Sequence, residues 1–145
     1  MNEFRFEDFE IDFRKPLGEG GFGAVYKATR RNFNEVYAIK RISIENLNEN
    51  EIQEIQEIIN MNLLNGCKNS IKFFGYFQDE DFIYLIMELC DCSLDKIIKK
   101  KKNLNAEEIK EILKQLNNVF KIMHEKSIIH RDIKPENILI KKIRK

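Results

Sequence analysis

Residues 129–140 read Ile-His-Arg-Asp-Ile-Lys-Pro-Glu-Asn-Ile-Leu-Ile, a polar loop that leads into an apolar run. Asp132 and Asn137 supply hard oxygen ligands five residues apart, and Lys134 lies between them. Phosphoryl transfer needs a carboxylate to orient a hydroxyl, a lysine for a phosphoryl oxygen and an amide for Mg²⁺. An ordinary loop would not require all of these residue types at fixed offsets. The segment therefore predicts a catalytic loop for phosphoryl transfer.

A second informative segment, Gly18-Glu19-Gly20-Gly21-Phe22-Gly23, is rich in glycine. Glycines at positions 18, 20 and 23 let backbone amides approach phosphate oxygens, because no Cβ stands in the way. Dinucleotide-binding folds use the same spacing, but there the glycines open a helix. The residues after Gly23 alternate as a strand does, which disfavours a dinucleotide site and leaves two interpretations: a phosphate loop or an ordinary glycine-rich turn.

The segment Tyr37-Ala38-Ile39-Lys40 lies near the end of the third predicted strand. A lysine at the end of an apolar strand is often a surface residue whose stem packs along apolar neighbours. A strand that returns beneath the glycine loop would instead place the Lys40 ammonium under the phosphates, as a point charge suited to that task.

Five β-rich runs precede the polar loop, and in the first of them Phe9, Ile11 and Phe13 alternate with charged residues in steps of two. The runs span residues 9–13, 25–29, 36–42, 71–77 and 82–87. Residues 31–34 form a plausible hairpin turn between the second and third runs. The pattern predicts one antiparallel sheet.

Two helical segments are predicted from capping signals and apolar spacing. The first begins with Asn48 and Glu51, which resemble a capping box, and ends at Asn65-Gly66. The second begins with the capping box Asn105 and Glu108. The apolar residues of the first helix are Ile52, Ile55, Ile59 and Leu63. Those of the second are Ile109, Ile112, Leu113, Leu116, Val119, Phe120 and Met123. Strands with one helix, followed by further helices, indicate an α+β chain of two parts with a joint at residues 88–93.

Composition excludes several classes of protein. Hydrophobic residues make up 43% of the 145 residues, enough for a core, yet no apolar run reaches membrane-spanning length. The formal net charge of +1 gives no general attraction to nucleic acid or acidic lipid, and the basic runs at 99–102 and 141–145 are interpreted as solvated ends. Three cysteines, Cys67, Cys90 and Cys92, without a secretory signal indicate free thiols. We therefore expect an intracellular, cytoplasmic chain without nucleic-acid or membrane partners.

Taken together, the three motifs resemble those of the eukaryotic protein kinase family. Gly-Glu-Gly-Gly-Phe-Gly-Ala-Val is similar to its glycine-rich loop, Tyr-Ala-Ile-Lys to its third-strand lysine motif and His-Arg-Asp-Ile-Lys-Pro-Glu-Asn to its catalytic loop. The Lys-Pro-Glu-Asn ending resembles the serine/threonine branch. The implied fold is a five-stranded antiparallel small lobe with one helix (9–90), followed by the first helices and catalytic loop of a truncated helical large lobe (91–145). Residues 1–8 form a short N-terminal extension.

The resemblance also implies an ATP site in the small lobe. Gly18, Gly20 and Gly23 would lie over the phosphates, and Lys40 would hold them. Glu57 of the following helix would fix Lys40, with Glu54, one turn earlier, as the open alternative.

The adenine pocket is implied in the same way. Leu17, Val25 and Ala38 would form its upper wall, with Met87 as the gatekeeper. Backbone groups of Glu88 and Cys90 would pair with the adenine edge. Ser93 falls where relatives place an acidic residue near the ribose, so that contact is expected to be weaker.

In the catalytic loop, the resemblance makes Asp132 the catalytic base, Lys134 a γ-phosphate ligand and Asn137 a Mg²⁺ ligand. His130 is expected to be a buried structural residue. Arg131 would be available to a phosphorylated activation loop. The implied cofactors are ATP and Mg²⁺, and the implied protein substrate offers a serine or threonine hydroxyl.

The sequence departs from the family pattern after Ile140, where it reads Lys-Lys-Ile-Arg-Lys without an Asp-Phe-Gly motif. The resemblance covers about the first half of the family's domain, which leaves two functions open. One is an ATP-dependent serine/threonine protein kinase; the other is a truncated, inactive fragment that binds ATP or a partner. A partner could cover the apolar face of the large-lobe helix, which would otherwise favour aggregation or dimerisation. A nicotinamide-dependent oxidoreductase rests on the glycines alone.

Overall fold

The computed structural model describes residues 4–21, 23–45 and 50–142, with side chains from residue 56 onward in the last range. The chain divides into two compact units. The first unit contains the residues up to Asn65 together with Ile71–Leu89. The second contains Gly66–Ser70 and the residues from Cys90 onward.

The first unit is built on an antiparallel sheet, as the five β-rich runs predict. Its strands are β1 (Phe9–Gly20), β2 (Gly23–Arg30), β3 (Glu35–Ser43), β4 (Phe73–Gln78) and β5 (Phe82–Glu88). They lie in the order β1-β2-β3-β5-β4, and every neighbouring pair is antiparallel. The five-stranded antiparallel sheet is therefore confirmed.

The hairpin between β2 and β3 turns where the sequence predicts it. Asn32 and Asn34 have φ angles of 68° and 53°, in the left-handed region that asparagine adopts more readily than most residues. The structure differs from the prediction in β1, which extends through Gly20 because the glycine segment itself pairs with β2. The predicted first run, 9–13, covered only the beginning of this strand.

Both faces of the sheet are apolar, so the core of this unit has two layers. One face buries a cluster that is largely aromatic: Phe9, Ala28, Tyr37, Ile39, Phe77, Tyr84 and Ile86. The opposite face buries Ile42, Phe73, Leu85 and Met87. Removing such side chains from water is the main favourable term in folding, about 1.5–3 kcal/mol for each large one.

The N-terminal segment covers part of the aromatic face. Phe4 packs on that cluster, and its ring lies 5.8 Å from the ring of Phe9. Phe6, in the short 3₁₀ helix Phe6–Asp8, meets the rings of Phe77 and Tyr84 edge-on at 6.3 and 5.6 Å. Residues 4–8 thus contribute to the core of the first unit, which periodicity in so short a segment could not indicate.

Helix α1 (Asn50–Leu64) covers the other face of the sheet through Ile58 and Met61. Ile59 and Leu63, two of the apolar residues whose spacing predicts the helix, are each 44% exposed. The helix ends as predicted, with Gly66 at a φ of 81°. The predicted cap Asn48, and the side chains of Glu51, Ile52 and Ile55, lie outside the described residues.

The second unit contains α2 (Leu94–Lys101) and α3 (Ala106–Glu125). The capping box of α3 is confirmed: Asn105 Oδ1 accepts from the Glu108 amide at 2.9 Å, and Glu108 Oε2 accepts from the Asn105 amide at 3.1 Å. Helix α2 was not predicted, although Ser93 is its N-cap and the basic run at 99–102 forms its end.

A short ladder ties the end of the predicted catalytic loop to the start of α2. Strand β6 (Cys92–Ser93) pairs antiparallel with β7 (Leu139–Ile140). The Leu94 amide extends the ladder by donating to the Ile138 carbonyl at 2.7 Å.

The apolar stripe of α3 is covered unevenly. Val119 and Met123 are buried, whereas Ile109 and Leu113 are 45% and 60% exposed. This agrees with the expectation of a partly exposed stripe. Across the part of the chain that the structure describes, no helix is both long and apolar enough to span a membrane.

Candidate active site

In the first unit, a row of directly opposed residues begins in the glycine segment and crosses three strands of the sheet. Gly18 on β1 pairs with Val25 on β2, and Val25 pairs with Lys40 on β3. Residues opposite one another in an antiparallel sheet present their side chains on the same face. Because neighbouring strands lie about 4.8 Å apart, the Lys40 backbone is about 10 Å from that of Gly18. The Lys40 side chain therefore emerges on the face that Val25 shares.

Lys40 is fixed by a carboxylate from α1. Its Nζ lies 2.6 Å from Glu57 Oε1 and 2.8 Å from Oε2. The side chains are 17% and 32% exposed, so water screens this pair less than an ordinary surface pair. The structure brings Lys40 and Glu57 together, and the side chain of the alternative, Glu54, lies outside the described residues.

The glycines differ in what surrounds them. A Cβ added to Gly18 or Gly20 would meet nothing within 4 Å, so the backbone there is open to a ligand. Gly23 has a φ of 111°, and a Cβ on it would lie 2.2 Å from the Arg41 carbonyl oxygen. Gly23 is therefore required by the contact between β2 and β3, a structural reason that the sequence motif did not indicate.

The predicted adenine-wall residues of this unit lie on the Lys40 face of the sheet or at its edge strand. Ala38 and Met87 are opposed to one another and are each 6% exposed. Val25 is half-buried, and Leu17 on β1 is 42% exposed. Glu88 ends β5, where its Oε1 accepts from the Lys72 amide at 2.8 Å.

In the second unit, Asp132 lies at a tight backbone turn. Arg131 has a φ of 67°, a left-handed conformation that is uncommon for a residue with a side chain and that clusters at functional sites. Asn137 Nδ2 donates to the Asp132 backbone oxygen at 2.8 Å and to Asp132 Oδ2 at 2.9 Å. The amide of Asn137 therefore holds both the backbone and the carboxylate of Asp132.

The Asp132 carboxylate also has a cationic neighbour, because Lys134 Nζ lies 3.2 Å from its Oδ2. The hydrogen bonds from Lys134 and Asn137 lower the pKa of Asp132 below its ordinary value of 3.8. The side chain is 47% exposed, so water reaches it. Asp132 is thus an anion at neutral pH.

Residues 11–145 match the family described as protein kinase domain. This chain belongs to the protein kinase domain family. Its fold, a five-stranded antiparallel sheet with a helix followed by further helices, is the protein-kinase-like fold expected from the motifs.

Individual kinases are similar over most of this chain. Calcium-dependent protein kinase 29 of Arabidopsis thaliana is 37% identical over 133 residues, 89% of this chain and 25% of that protein. Aurora kinase of Schizosaccharomyces pombe is 35% identical over 140 residues, 95% and 39% respectively. Calcium-dependent protein kinase 3 of Plasmodium berghei is 42% identical over 135 residues, 92% and 24%. The chain thus spans between about a quarter and two fifths of these kinases.

Three predicted residues of this kinase domain have surroundings that the motifs did not indicate. His130 is exposed, so the expectation of a buried residue is wrong; its Nδ1 accepts from the Asp132 amide at 3.3 Å, which keeps the ring beside the turn. Ser93 Oγ accepts from the Lys96 amide at 3.4 Å, so its hydroxyl serves α2 as the N-cap. Cys90 is half-buried, and the cysteines in the described ranges form no disulfide. No cluster of three metal-ligating side chains occurs there either.

Proposed function

We propose that this chain carries the ATP-binding sheet and the catalytic loop of a serine/threonine protein kinase, which transfers the γ-phosphate of Mg·ATP to a protein hydroxyl. The observation that carries the proposal is the 2.6 Å pair between Lys40 and Glu57, on the sheet face that Lys40 shares with Val25. The Lys-Pro-Glu-Asn sequence and relatives named calcium-dependent protein kinase and Aurora kinase support the serine/threonine class.

The first unit fits a nucleotide triphosphate. The open backbone at Gly18 and Gly20 provides amides without side-chain obstruction, and amides of this kind bind phosphate oxygens. Lys40 supplies a compact positive charge, and Glu57 limits the directions in which its ammonium can point. Ala38 and Met87 offer a buried apolar surface, of the type that lines nucleobase pockets, near the backbone of Glu88.

The second unit fits the transfer step. Asp132, anionic and accessible, can accept a hydrogen bond from a serine or threonine hydroxyl and orient its oxygen. Asn137 uses its Nδ2 on Asp132, so its carbonyl oxygen is the atom suited to Mg²⁺, which prefers oxygen ligands. Bound Mg²⁺ would neutralise charge on the β- and γ-phosphates. Lys134 would contribute to holding the γ-phosphate through the same ammonium that now faces Asp132.

Equilibrium titration with a fluorescent ATP analogue and Mg²⁺ tests the proposal. The parent chain should bind the analogue, and ATP should displace it. Lys40→Met should bind about tenfold or more weakly, because one charge-assisted phosphate contact is lost. Lys15→Met, which removes an exposed lysine from β1, is the matched control and should bind as the parent does. Equal affinity of Lys40→Met and the parent would contradict the proposal.

A second candidate, a nucleotide-binding domain that does not turn over, is favoured by one observation: residues 1–145 contain no Asp-Phe-Gly sequence. In protein kinases that aspartate holds Mg²⁺. A polypeptide of these 145 residues is therefore expected to bind ATP without transferring phosphate to a generic basic protein. Transfer of radiolabelled phosphate that Asp132→Asn abolishes would reject this candidate in favour of the first.

A further inference from the structure

The position of α1 along its axis decides which glutamate meets Lys40, and apolar packing alone does not fix that position. Ile58 and Met61 contact the sheet, while Ile59 and Leu63, one and two residues further along respectively, are exposed. Both pairs have helical spacing, and their mean directions around the helix differ by about 150°, so a rotation of α1 by that angle would exchange the two apolar sets. That rotation would turn Glu57 away from Lys40. Apolar contacts are non-directional and cannot by themselves exclude it.

A directional contact lies at the end of the same helix. Asn65 follows the last residue of α1, and its side-chain amide pairs with the backbone of Phe73 at the start of β4. Asn65 Nδ2 donates to the Phe73 carbonyl at 2.8 Å, and the Phe73 amide donates to Asn65 Oδ1 at 3.1 Å. β4 is an edge strand of the sheet, so the Asn65 side chain pairs with backbone groups of a strand that lacks a neighbouring strand on one side.

Phe73, the partner of Asn65 in these two hydrogen bonds, is held in place by the core. Its side chain is 4% exposed and belongs to the cluster of Ile42, Leu85 and Met87, and its backbone is opposed to Met87. The two hydrogen bonds therefore tie the end of α1 to a residue that the core immobilises. Eight residues, or about 12 Å of helix, separate Asn65 from Glu57.

We infer that Asn65 is a positioning residue that sets the register of α1 and thereby selects Glu57 rather than Glu54 as the partner of Lys40. A shift of α1 by three residues, which would bring Glu54 to the level of Glu57, moves the helix about 4.5 Å along its axis. Neither hydrogen bond to Phe73 survives such a displacement, because hydrogen bonds between nitrogen and oxygen extend only to about 3.2 Å. The pairing of Lys40 with Glu57 is thus coupled to the pairing of Asn65 with Phe73.

The contribution of Lys40 to nucleotide binding rests on the proposed function, but the register itself does not. We therefore test the register by amine acylation of the full chain without nucleotide, followed by mass spectrometry. Lys40, ion-paired and 17% exposed, should react slowly in the parent. Glu57→Gln and Asn65→Ala should each raise its rate about fivefold, the factor that corresponds to a modest ion pair. The double variant should react no faster than either single variant.

Asn60→Ala is the matched control, because it removes an asparagine from the same helix whose Oδ1 accepts an exposed hydrogen bond from Gln56 at 2.9 Å. Its Lys40 rate should equal that of the parent. Tyrosine fluorescence checks folding, since all four tyrosines lie in the first unit. Should Asn65→Ala not fold, Asn65→Asp keeps the acceptor for the Phe73 amide, loses the donor and should show the same change in smaller degree.

An unchanged Lys40 rate in Asn65→Ala, together with a lowered melting temperature, would make Asn65 merely structural and overturn the inference. The same set of variants is then titrated with ATP and with adenosine. Asn65→Ala should weaken ATP binding as Glu57→Gln does and leave adenosine binding unchanged. If the Lys40 rates change as expected but no variant, nor the parent, binds ATP, the register assignment stands and the proposed function fails.

Discussion

Lys40 in the first unit and Asp132 in the second each have an oppositely charged neighbour, but the surroundings of the two groups differ. The Lys40 side chain is 17% exposed and extends from a strand whose neighbours Ile39 and Ile42 are buried. Asp132 is 47% exposed, and its partner Lys134 is two residues away in the same loop. Surface ion pairs contribute about 0–1 kcal/mol, too little to position a carboxylate. Asp132 is instead positioned by local backbone geometry at Arg131 and by the amide of Asn137.

The two units as a whole also differ in how many hydrophobic side chains they bury. Among the described residues, thirteen of the sixteen buried hydrophobic side chains belong to the first unit, and only Leu94, Val119 and Met123 belong to the second. One fold family can therefore preorganise functional groups by two means. A packed sheet and a helix orient Lys40 through contacts between residues distant in sequence, whereas hydrogen bonds within six residues orient the Asp132 carboxylate.

The largest expected effect comes from the one glycine at which the first unit has no space. Gly23→Ala places a Cβ 2.2 Å from the Arg41 carbonyl oxygen at a φ of 111°, and backbone atoms cannot move aside as a side chain can. We expect a loss of about 4 kcal/mol or more, enough to unfold the unit. Urea denaturation followed by tyrosine fluorescence measures it. Gly20→Ala is the control and should change the unfolding free energy by less than about 1 kcal/mol; similar losses in both variants would refute the packing argument.

A matched pair of methionines sharpens the comparison of the cores. Met87 in the first unit and Met123 in the second are both 6% exposed. Met87→Ala should cost about 3–4 kcal/mol, because Ile42, Phe73 and Leu85 around it cannot collapse into the cavity. Met123→Ala should cost about 2 kcal/mol, since α3 is partly exposed and can relax. Tyrosine fluorescence reports on the first variant and helical circular dichroism on the second. Equal costs would mean that the two cores are packed alike.

A smaller effect depends on pH and is confined to the first unit. Burial, together with the hydrogen bond to Asp79 at 2.8 Å, raises the pKa of Tyr84 from 10.0 to about 12. The folded unit therefore keeps this proton at pH values at which the unfolded chain loses it. The resulting stability is fully present below about pH 10 and is lost as the pH rises towards about 12.

Tyr84→Phe should lower the unfolding free energy at neutral pH by about 1 kcal/mol, the value of one hydrogen bond, and should flatten its decline between pH 10 and 12. The control is Tyr76→Phe, which alters a tyrosine that is 50% exposed on β4. Urea denaturation at several pH values checks both variants. An equally steep decline in Tyr84→Phe and the parent would assign the alkaline sensitivity to other groups.

The sequence was most informative where neighbouring residues determine the structure. The β-rich runs predicted the strands, and Asn105 with Glu108 predicted the start of α3, because both signals depend on residues close together in sequence. The loop from Asp132 to Asn137 could be interpreted for the same reason, since its hydrogen bonds are local. What the motif did not reveal is the left-handed turn at Arg131, because an arginine carries no signal for that conformation.

Features that depend on distant residues could be predicted only in part. Apolar spacing alone did not show which face of α1 is packed, because two apolar sets overlap on that helix and Ile59 and Leu63 are exposed. The choice between Glu57 and Glu54 depends on Lys40, seventeen residues away from Glu57. The packing of Phe4 and Phe6 depends on strands that follow much later in the chain. Each of these is a tertiary contact between surfaces that local sequence describes only in part.

The central claim, that the Lys40 side chain meets the phosphates of ATP, can be tested by chemical mapping. An acyl phosphate derivative of ATP transfers its acyl group to a lysine Nζ close to the terminal phosphate and releases ATP. Mass spectrometry of the labelled chain should find the acyl group on Lys40, and excess ATP, but not adenosine, should suppress the labelling. Labelling spread over exposed lysines such as Lys15, or unaffected by ATP, would contradict the account.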